Sequence, residues 1–256
     1  MNPLRNRFLA GKLEENAFSY IGFNLEQVKT NNCIMLNQTA YMDELNTVKL
    51  PTSTSKDAGK DKNLNEEKLT LLRTQVGKIN WAVQGSRPDL AFDMIELSTK
   101  LRNGTIDDLK RANKCILKLK EITPVIKYPN LGDPHTWTLL VFSDASLGNI
   151  CNGVGSVGAH LILLVSVYQC CPLNWQANKI KRVIRSTIAA ETLSLQEALE
   201  DADYLKHLIE ELLGSTDFPL NIPVEAVVDN KSVVEALFST KMVDDKRLRL
   251  DISAIK

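Results

Sequence analysis

Three carboxylates in this sequence have a spacing that could place them around the same bound group. Asp144 ends the apolar run WTLLVFSD, and Asp229 ends the similar run VEAVVD. Glu191 lies between these runs, near the start of a long helical pattern. Carboxylates that meet with no basic residue among them repel one another, and magnesium, which takes oxygen ligands, is a usual remedy. The spacing therefore fits an acidic magnesium site.

Two strands and one helix would have to position these carboxylates. Both apolar runs are rich in β-branched residues, which predicts strands that end at Asp144 and at Asp229. In a strand–helix–strand unit the strands run parallel, and functional groups gather at their carboxyl ends. Residues 186–213 predict the helix, because steps of four and three keep one stripe on one face: Glu191, Leu195, Ala198, Ala202, Leu205, Ile209 and Leu212.

The same spacing has a plainer interpretation. Two strand-end aspartates are common at turns, and a glutamate near a helix N-terminus suits the helix dipole. Against this, a carboxylate on a core-facing stripe is costly unless it is paired or binds a metal. Spacing alone leaves both interpretations open.

Two groups of basic residues are candidates for contact with a nucleic-acid backbone. The first precedes the long helix and has no acid among its members: Lys179, Lys181, Arg182 and Arg185. It is equally well a basic loop that offsets the acidic face of that helix: Glu197, Glu200, Asp201 and Asp203. The second lies on a helix predicted over residues 107–120, where a solvated face is the favoured interpretation: Lys110, Arg111, Lys114, Lys118 and Lys120.

Three segments resemble, in order and spacing, the ribonuclease H domain of copia-type retrotransposon polyproteins. They are SDASLGN, NWQANKIKRVIRSTIAAETLSL and VVDNKSVVEAL, and the resemblance covers about the last 120 residues. It implies an α/β, ribonuclease H-like fold, in which a mixed five-stranded sheet packs against helices. It also implies that Asp144, Glu191 and Asp229 are three of the family's four metal-binding acids.

The activity implied by the resemblance is magnesium-dependent hydrolysis of the RNA strand of RNA–DNA hybrids, with two magnesium ions. In the family the fourth acid lies on a further helix, so we expect an incomplete domain here, without the last strand and helix, and weak or no activity. Asp251 aligns with a family aspartate outside the catalytic set. The alternative is a non-catalytic transposon-derived remnant, or a nucleic-acid or protein interaction module.

The N-terminal half predicts a small α+β and helical segment. Residues 1–50 resemble the end of the reverse transcriptase region, with strands over 18–28 and 33–38 and a helix over 39–50 capped by Thr39. Residues 51–68 are polar and predict a linker. Residues 69–121 predict a helical connection, which a polar connector over 124–135 joins to a ribonuclease H-like domain at 137–256.

One short motif invites a different function. Tyr41-Met42-Asp43-Glu44 is close to the Tyr-xx-Asp-Asp box of reverse transcriptases. That box needs two adjacent aspartates on a hairpin turn, whereas this segment has a glutamate and helical flanks. We therefore expect no polymerase site in this chain.

The composition of the chain narrows the classes of protein to which it could belong. A hydrophobic content of 44% and a charged content of 24% are ordinary for a globular protein, and the net charge of zero gives no global basic field. Five cysteines without CxxC spacing predict reduced intracellular thiols and no zinc. No apolar run is long enough for a bilayer or a signal peptide, and no glycine-rich phosphate loop occurs. We therefore expect a cytoplasmic or nuclear protein that has no membrane partner and binds no small-molecule cofactor.

In the C-terminal half, the strand after Asp144 is harder to delimit. Residues 153–160 and 161–168 predict either a hairpin or one bent antiparallel stretch, and residues 173–177 predict a short further strand. Short helices are expected over 231–239 and from Asp244 onward.

Overall fold

The computed structural model describes residues 14–30, 32–50, 63–151, 153–214, 219–240 and 243–256. Within this part of the chain, eight strands form two four-stranded sheets, and helices separate and cover them. The chain is thus a mixed α/β protein in which an antiparallel sheet precedes a mixed sheet.

The first sheet is antiparallel throughout and has the order β1-β2-β3-β4. Its strands are β1 Ala17–Tyr20, β2 Phe23–Val28, β3 Cys33–Asn37 and β4 Ile126–Pro129.

Two predictions for this sheet are wrong. The single strand predicted over 18–28 is a hairpin, because Ile21 and Gly22 both have positive φ, 49° and 79°, as a tight two-residue turn requires. The connector predicted over 124–135 contains β4, which pairs with β3.

The segment with the polymerase-like motif is helical. Helix α1 spans Thr39–Glu44, and Met42 is fully buried. The residue that caps the helix is Gln38 rather than the predicted Thr39, and its side chain makes no capping hydrogen bond. The helix ends at Glu44, well short of the predicted residue 50. Asp43 and Glu44 therefore lie on a helix and not on a hairpin turn.

The helical connection predicted over 69–121 consists of three helices, and the last of them matches the helix predicted over 107–120. They are α2 Glu66–Gly85, α3 Ala91–Ser98 and α4 Ile106–Glu121, and a single 3-10 turn, Pro88–Leu90, precedes α3. The Asn65 side chain accepts a hydrogen bond from Lys68 N and fixes the start of α2, so this helix begins inside the predicted linker. Residues 51–62 of that linker lie outside the described residues. Thr105 and Asp108 form a capping box at the start of α4.

The second sheet is mixed and has the order β7-β6-β5-β8. Its strands are β5 Thr138–Ile150, β6 Gly155–Val165, β7 Cys170–Lys179 and β8 Val224–Val228. Only β5 and β8 run parallel. One long strand, β6, replaces the two stretches predicted over 153–168, and the short strand predicted over 173–177 belongs to β7.

A long helix, α5 Thr187–Leu213, connects β7 to β8 and covers one face of the second sheet. The Ser186 side chain caps it by accepting from Ala189 N. Its stripe is buried against the sheet at Leu195, Ala198 and Ala202, as predicted. Leu212, predicted on the same stripe, is 71% exposed. Two shorter helices follow β8: α6 Lys231–Phe238 and α7 Lys246–Ile255.

The helices α2 to α4 share a core with the second sheet. Ile150, Val157 and Ala177 pack in the same apolar cluster as the buried faces of these helices. The indole Nε1 of Trp175 in β7 donates a 2.7 Å hydrogen bond to the carbonyl of Val83 in α2. A second core lies between the sheet and α5. None of the described helices is both long and apolar enough to cross a membrane.

Candidate metal centre

The two aspartates lie side by side because they follow paired residues of parallel strands. The pairing of β5 with β8 runs from Leu139↔Val224 to Ser143↔Val228. Asp144 directly follows Ser143, and Asp229 directly follows Val228. The neighbourhood predicted from the sequence is therefore present, at the point where the parallel pairing ends.

The reason for this placement differs in one respect from the prediction. Strand β5 does not end at Asp144 but continues to Ile150, because Asp144 still pairs with Ala159 of β6. The predicted strand end at Asp144 is wrong. The pairing of β5 with β8 ends just before Asp144. The edge of β5 is therefore unpaired from Asp144 onward on the β8 side, and the carboxylates meet at this edge.

Glu191 completes the cluster from the second turn of α5. One ligand oxygen from each of Asp144, Glu191 and Asp229 lies within 4.8 Å of the others. Both aspartates are exposed, whereas Glu191 is only 6% exposed. The cluster is therefore open to solvent on the aspartate side and closed on the helix side.

The environment of Glu191 disfavours its charge. Burial is the largest cause, followed by the carboxylates of Asp144 and Asp229, and together they raise the pKa of Glu191 to about 7. A hydrogen bond from the backbone amide of Ala145 opposes this rise in pKa. The oxygen Oε2 of Glu191 is buried and has no hydrogen-bond partner among the described residues.

These features fit a hard divalent cation. Three carboxylate oxygens at short mutual distance are the donor set that magnesium prefers, and a cation would neutralise their repulsion. It would also give the unpartnered Oε2 atom of Glu191 a partner. Beside the cluster, a surface cleft of about 430 Å³ gives access from solvent; its lining includes Phe142, Asp144, Leu161, Val227 and Asp229.

The four basic residues predicted as a nucleic-acid contact differ in their availability. Arg182 forms an ion pair with Asp251 of α7, and the Nζ of Lys179 lies 3.4 Å from the Sγ of Cys151. Lys181 is exposed and has no ion-pair or hydrogen-bond partner among the described residues, whereas the exposed Arg185 interacts electrostatically with Asp245. Asp251, kept out of the predicted site, thus neutralises one of the four cations.

The basic face of α4 is largely committed to contacts within the protein. Arg111 makes a bidentate ion pair with Glu96, and Lys118 pairs with Asp93 at 3.1 Å. Lys120 donates to the backbone carbonyls of Asp43 and Leu45 at the end of α1, and Lys110 pairs with a residue one turn away. The structure therefore favours the solvated-face interpretation over a phosphate-contacting face.

One residue near the centre was missed by the sequence analysis. Ser194 lies one turn after Glu191 on the same face of α5, and its hydroxyl contacts the backbone carbonyl of Asp144. The spacing of three residues from Glu191 was the available signal. A small polar residue at such a position is also common in ordinary cores, so the signal is weak without the structure.

Among solved structures, comparison with known proteins gives distant likenesses. No protein-family model and no curated protein matches this chain. The chain is similar to the solved structure of RNase H1 from the halophilic archaeon Halobacterium salinarum NRC-1, with a TM-score of 0.30 and 19% identity. The match covers 46% of this chain and 73% of that chain. It is a distant resemblance of fold over about half of this chain, and it transfers neither activity nor substrate.

Proposed function

We propose that this chain is a ribonuclease H-like nuclease domain, which hydrolyses the RNA strand of RNA–DNA hybrids with divalent magnesium. The observation that carries the proposal is the meeting of Asp144, Glu191 and Asp229 within 4.8 Å on a mixed sheet covered by a long helix. Its motifs support an origin in the copia-type retrotransposon polyproteins, of which it would contain the end of the reverse transcriptase and part of the ribonuclease H domain.

The three carboxylates would hold the metal. Bound magnesium supplies activation of water and stabilisation of the leaving oxygen in phosphodiester hydrolysis. Asp144 and Asp229 present exposed oxygens toward the substrate side, and buried Glu191 closes the opposite side. Because the pKa of Glu191 is raised to about 7, its carboxyl group must release a proton before it can ligate the metal at neutral pH.

Two features bear on how the hybrid would bind. Lys179 and Lys181 are the members of the basic segment that have no acidic partner among the described residues, so they are the best candidates for phosphate contacts. Phosphate contacts position a duplex without reading its sequence. Hybrid recognition would then depend on duplex shape and ribose hydroxyls.

A second candidate is a non-catalytic interaction module. The ion pair between Arg182 and Asp251, and the internal pairing of the α4 cations, favour it because they reduce the positive charge available to phosphates. The chain as a whole has a net charge of zero, which gives no compensating attraction.

The deciding experiment is cleavage of a labelled RNA–DNA hybrid in the presence and absence of magnesium, with Asp144→Asn as the inactive control and DNA duplex as the substrate control. The proposal expects RNA-strand cleavage that requires magnesium and falls at least about a hundredfold in Asp144→Asn, as loss of a charge-stabilising group in a catalytic site does. Retained folding without any cleavage of the hybrid would favour the interaction module instead.

A further inference from the structure

We propose that Ser194 is a positioning residue of the carboxylate cluster, whose hydroxyl holds α5 against β5 and β6 so that Glu191 stays beside Asp144. This inference rests on the proposed function for its consequence in metal binding. Its geometric content, the attachment of the helix at one register position of the sheet, can be measured without metal.

The contacts of Ser194 join three elements at one point. Its Oγ lies 2.8 Å from the backbone carbonyl oxygen of Asp144 in β5 and 3.2 Å from that of Ala159 in β6. Asp144 and Ala159 are paired residues of β5 and β6, so the hydroxyl lies over one residue pair of the sheet. A hydroxyl has one hydrogen to donate, and the shorter distance assigns it to Asp144.

The close approach of the helix at this point depends on Gly158. A Cβ atom at Gly158 would lie 3.0 Å from the Oγ of Ser194 and 3.1 Å from its Cβ. A larger side chain at position 158 would push the helix away from the strand. The pair of a small strand residue and a buried serine, which is 3% exposed, therefore brings the hydroxyl within hydrogen-bond distance of the carbonyls.

The consequence for the cluster follows from helix geometry. Glu191 and Ser194 lie three residues apart on one face, about 4.5 Å along the helix axis. Asp144 is bonded to Ser194 through its carbonyl, and its side chain meets Glu191. The hydrogen bond from Ser194 to the Asp144 carbonyl and the hydrogen bond from the Ala145 amide to Glu191 attach this helical turn to adjacent residues of β5. Together they fix the separation of the two carboxylates.

A neighbouring residue provides a matched control. Thr192 is fully buried, but its hydroxyl donates at 2.7 Å to the carbonyl of Ile188 within α5 itself. Removing this hydroxyl takes a buried hydrogen bond from the same helix without detaching the helix from the sheet. Thr192→Val keeps the side-chain shape, and Ser194→Ala removes only the hydroxyl.

The experiment measures Mn²⁺ binding by calorimetry, and amide hydrogen exchange in metal-free protein, for the wild type, Ser194→Ala and Thr192→Val. We expect Ser194→Ala to weaken Mn²⁺ binding about tenfold, the lower end of what outer-shell groups contribute. It should also speed exchange of the Ala145 amide, which donates to Glu191. Thr192→Val should change neither property by more than about twofold, although it lowers the unfolding temperature.

The outcomes separate this inference from the proposed function. If Ser194→Ala leaves Mn²⁺ affinity and Ala145 exchange unchanged, or if both variants change them equally, Ser194 is an ordinary core residue and the inference is overturned. If the wild-type protein binds no Mn²⁺, the proposed function fails. In that case the Ala145 exchange rates alone decide whether Ser194 holds the helix in place.

Discussion

Glu191 shows how one residue can combine a cost in stability with the chemistry of a metal ligand. It is buried, it faces two other carboxylates, and one of its oxygens has no hydrogen-bond partner among the residues that the structure describes. Burial and like charge both raise its pKa, so without a cation the folded protein prefers the neutral form. Such a position is costly for folding and useful for holding a metal.

This raised pKa predicts a specific pH dependence of stability. The folded state keeps the Glu191 proton up to about pH 7, whereas the unfolded state releases it near the ordinary value of 4.5. The folded state therefore binds more protons in this window, and the contribution of Glu191 to the free energy of unfolding falls as pH rises from about 4.5 to 7. In metal-free buffer, Glu191→Gln should be more stable than the wild type at pH 8 and similar to it at pH 4.

Urea unfolding at both pH values checks this prediction. The difference between wild type and variant is the relevant quantity, because other carboxyl groups titrate in both proteins. An equal loss of stability in Glu191→Gln at pH 4 and pH 8 would show that the carboxyl group is not destabilised by its surroundings.

At the scale of elements, the 3-10 turn Pro88–Leu90 depends on one buried arginine. Arg87 is 3% exposed and makes a bidentate pair with Asp89. Its NH1 nitrogen also donates to the carbonyls of Lys118, Leu119 and Ile122, which end α4. One side chain thus supplies partners for orphan carbonyls at a helix C-terminus and ties that helix to the start of α3.

Substitution of Arg87 should therefore be much more damaging than substitution of its acidic partner. Arg87→Met removes the donors and leaves several backbone carbonyls without partners, and we expect a loss of about 3 kcal/mol in the free energy of unfolding. Asp89 has a largely exposed side chain, so Asp89→Asn should cost less than about 1 kcal/mol. Denaturant unfolding of the two variants measures both values, and equal losses would contradict this account of the turn.

The elements themselves were largely predictable, and the reasons for the exceptions are physical. A period-3.6 stripe located α5, because this helix buries one face against the second sheet. The hairpin at Ile21 was missed because an isoleucine with positive φ gives no turn signal. Strand β4 was missed because a short segment between prolines becomes a strand only through its partner β3.

In the candidate site, the carboxylates were predictable from the sequence, but the contacts around them were not. The three carboxylates follow from the ends of two apolar runs and from one helical stripe. The ion pair of Arg182 with Asp251 could not be predicted, since it joins residues 69 positions apart across α5 and α7. Ser194 likewise gains its role only from the strand carbonyls beneath it.

At the scale of the whole molecule, the distribution of paired and unpaired cations predicts where a hybrid binds. Lys179→Gln and Lys181→Gln should each weaken hybrid binding and reduce the salt slope, d log K against d log [salt], by about 1. Lys118→Gln should leave that slope unchanged, because Lys118 is engaged with Asp93. Fluorescence anisotropy over a series of salt concentrations measures the slopes. A larger effect at Lys118 than at Lys181 would place the nucleic-acid surface on α4 instead.

The central claim is that three carboxylates from three elements form one divalent-metal site, and calorimetric titration with Mg²⁺ tests it most directly. The comparison is between the wild type, Asp144→Asn and Asp203→Asn, since Asp203 is an exposed acid on the same long helix. The account predicts that wild type and Asp203→Asn bind Mg²⁺ alike, and that Asp144→Asn binds it at least about tenfold more weakly. Equal affinity in all three proteins would contradict it.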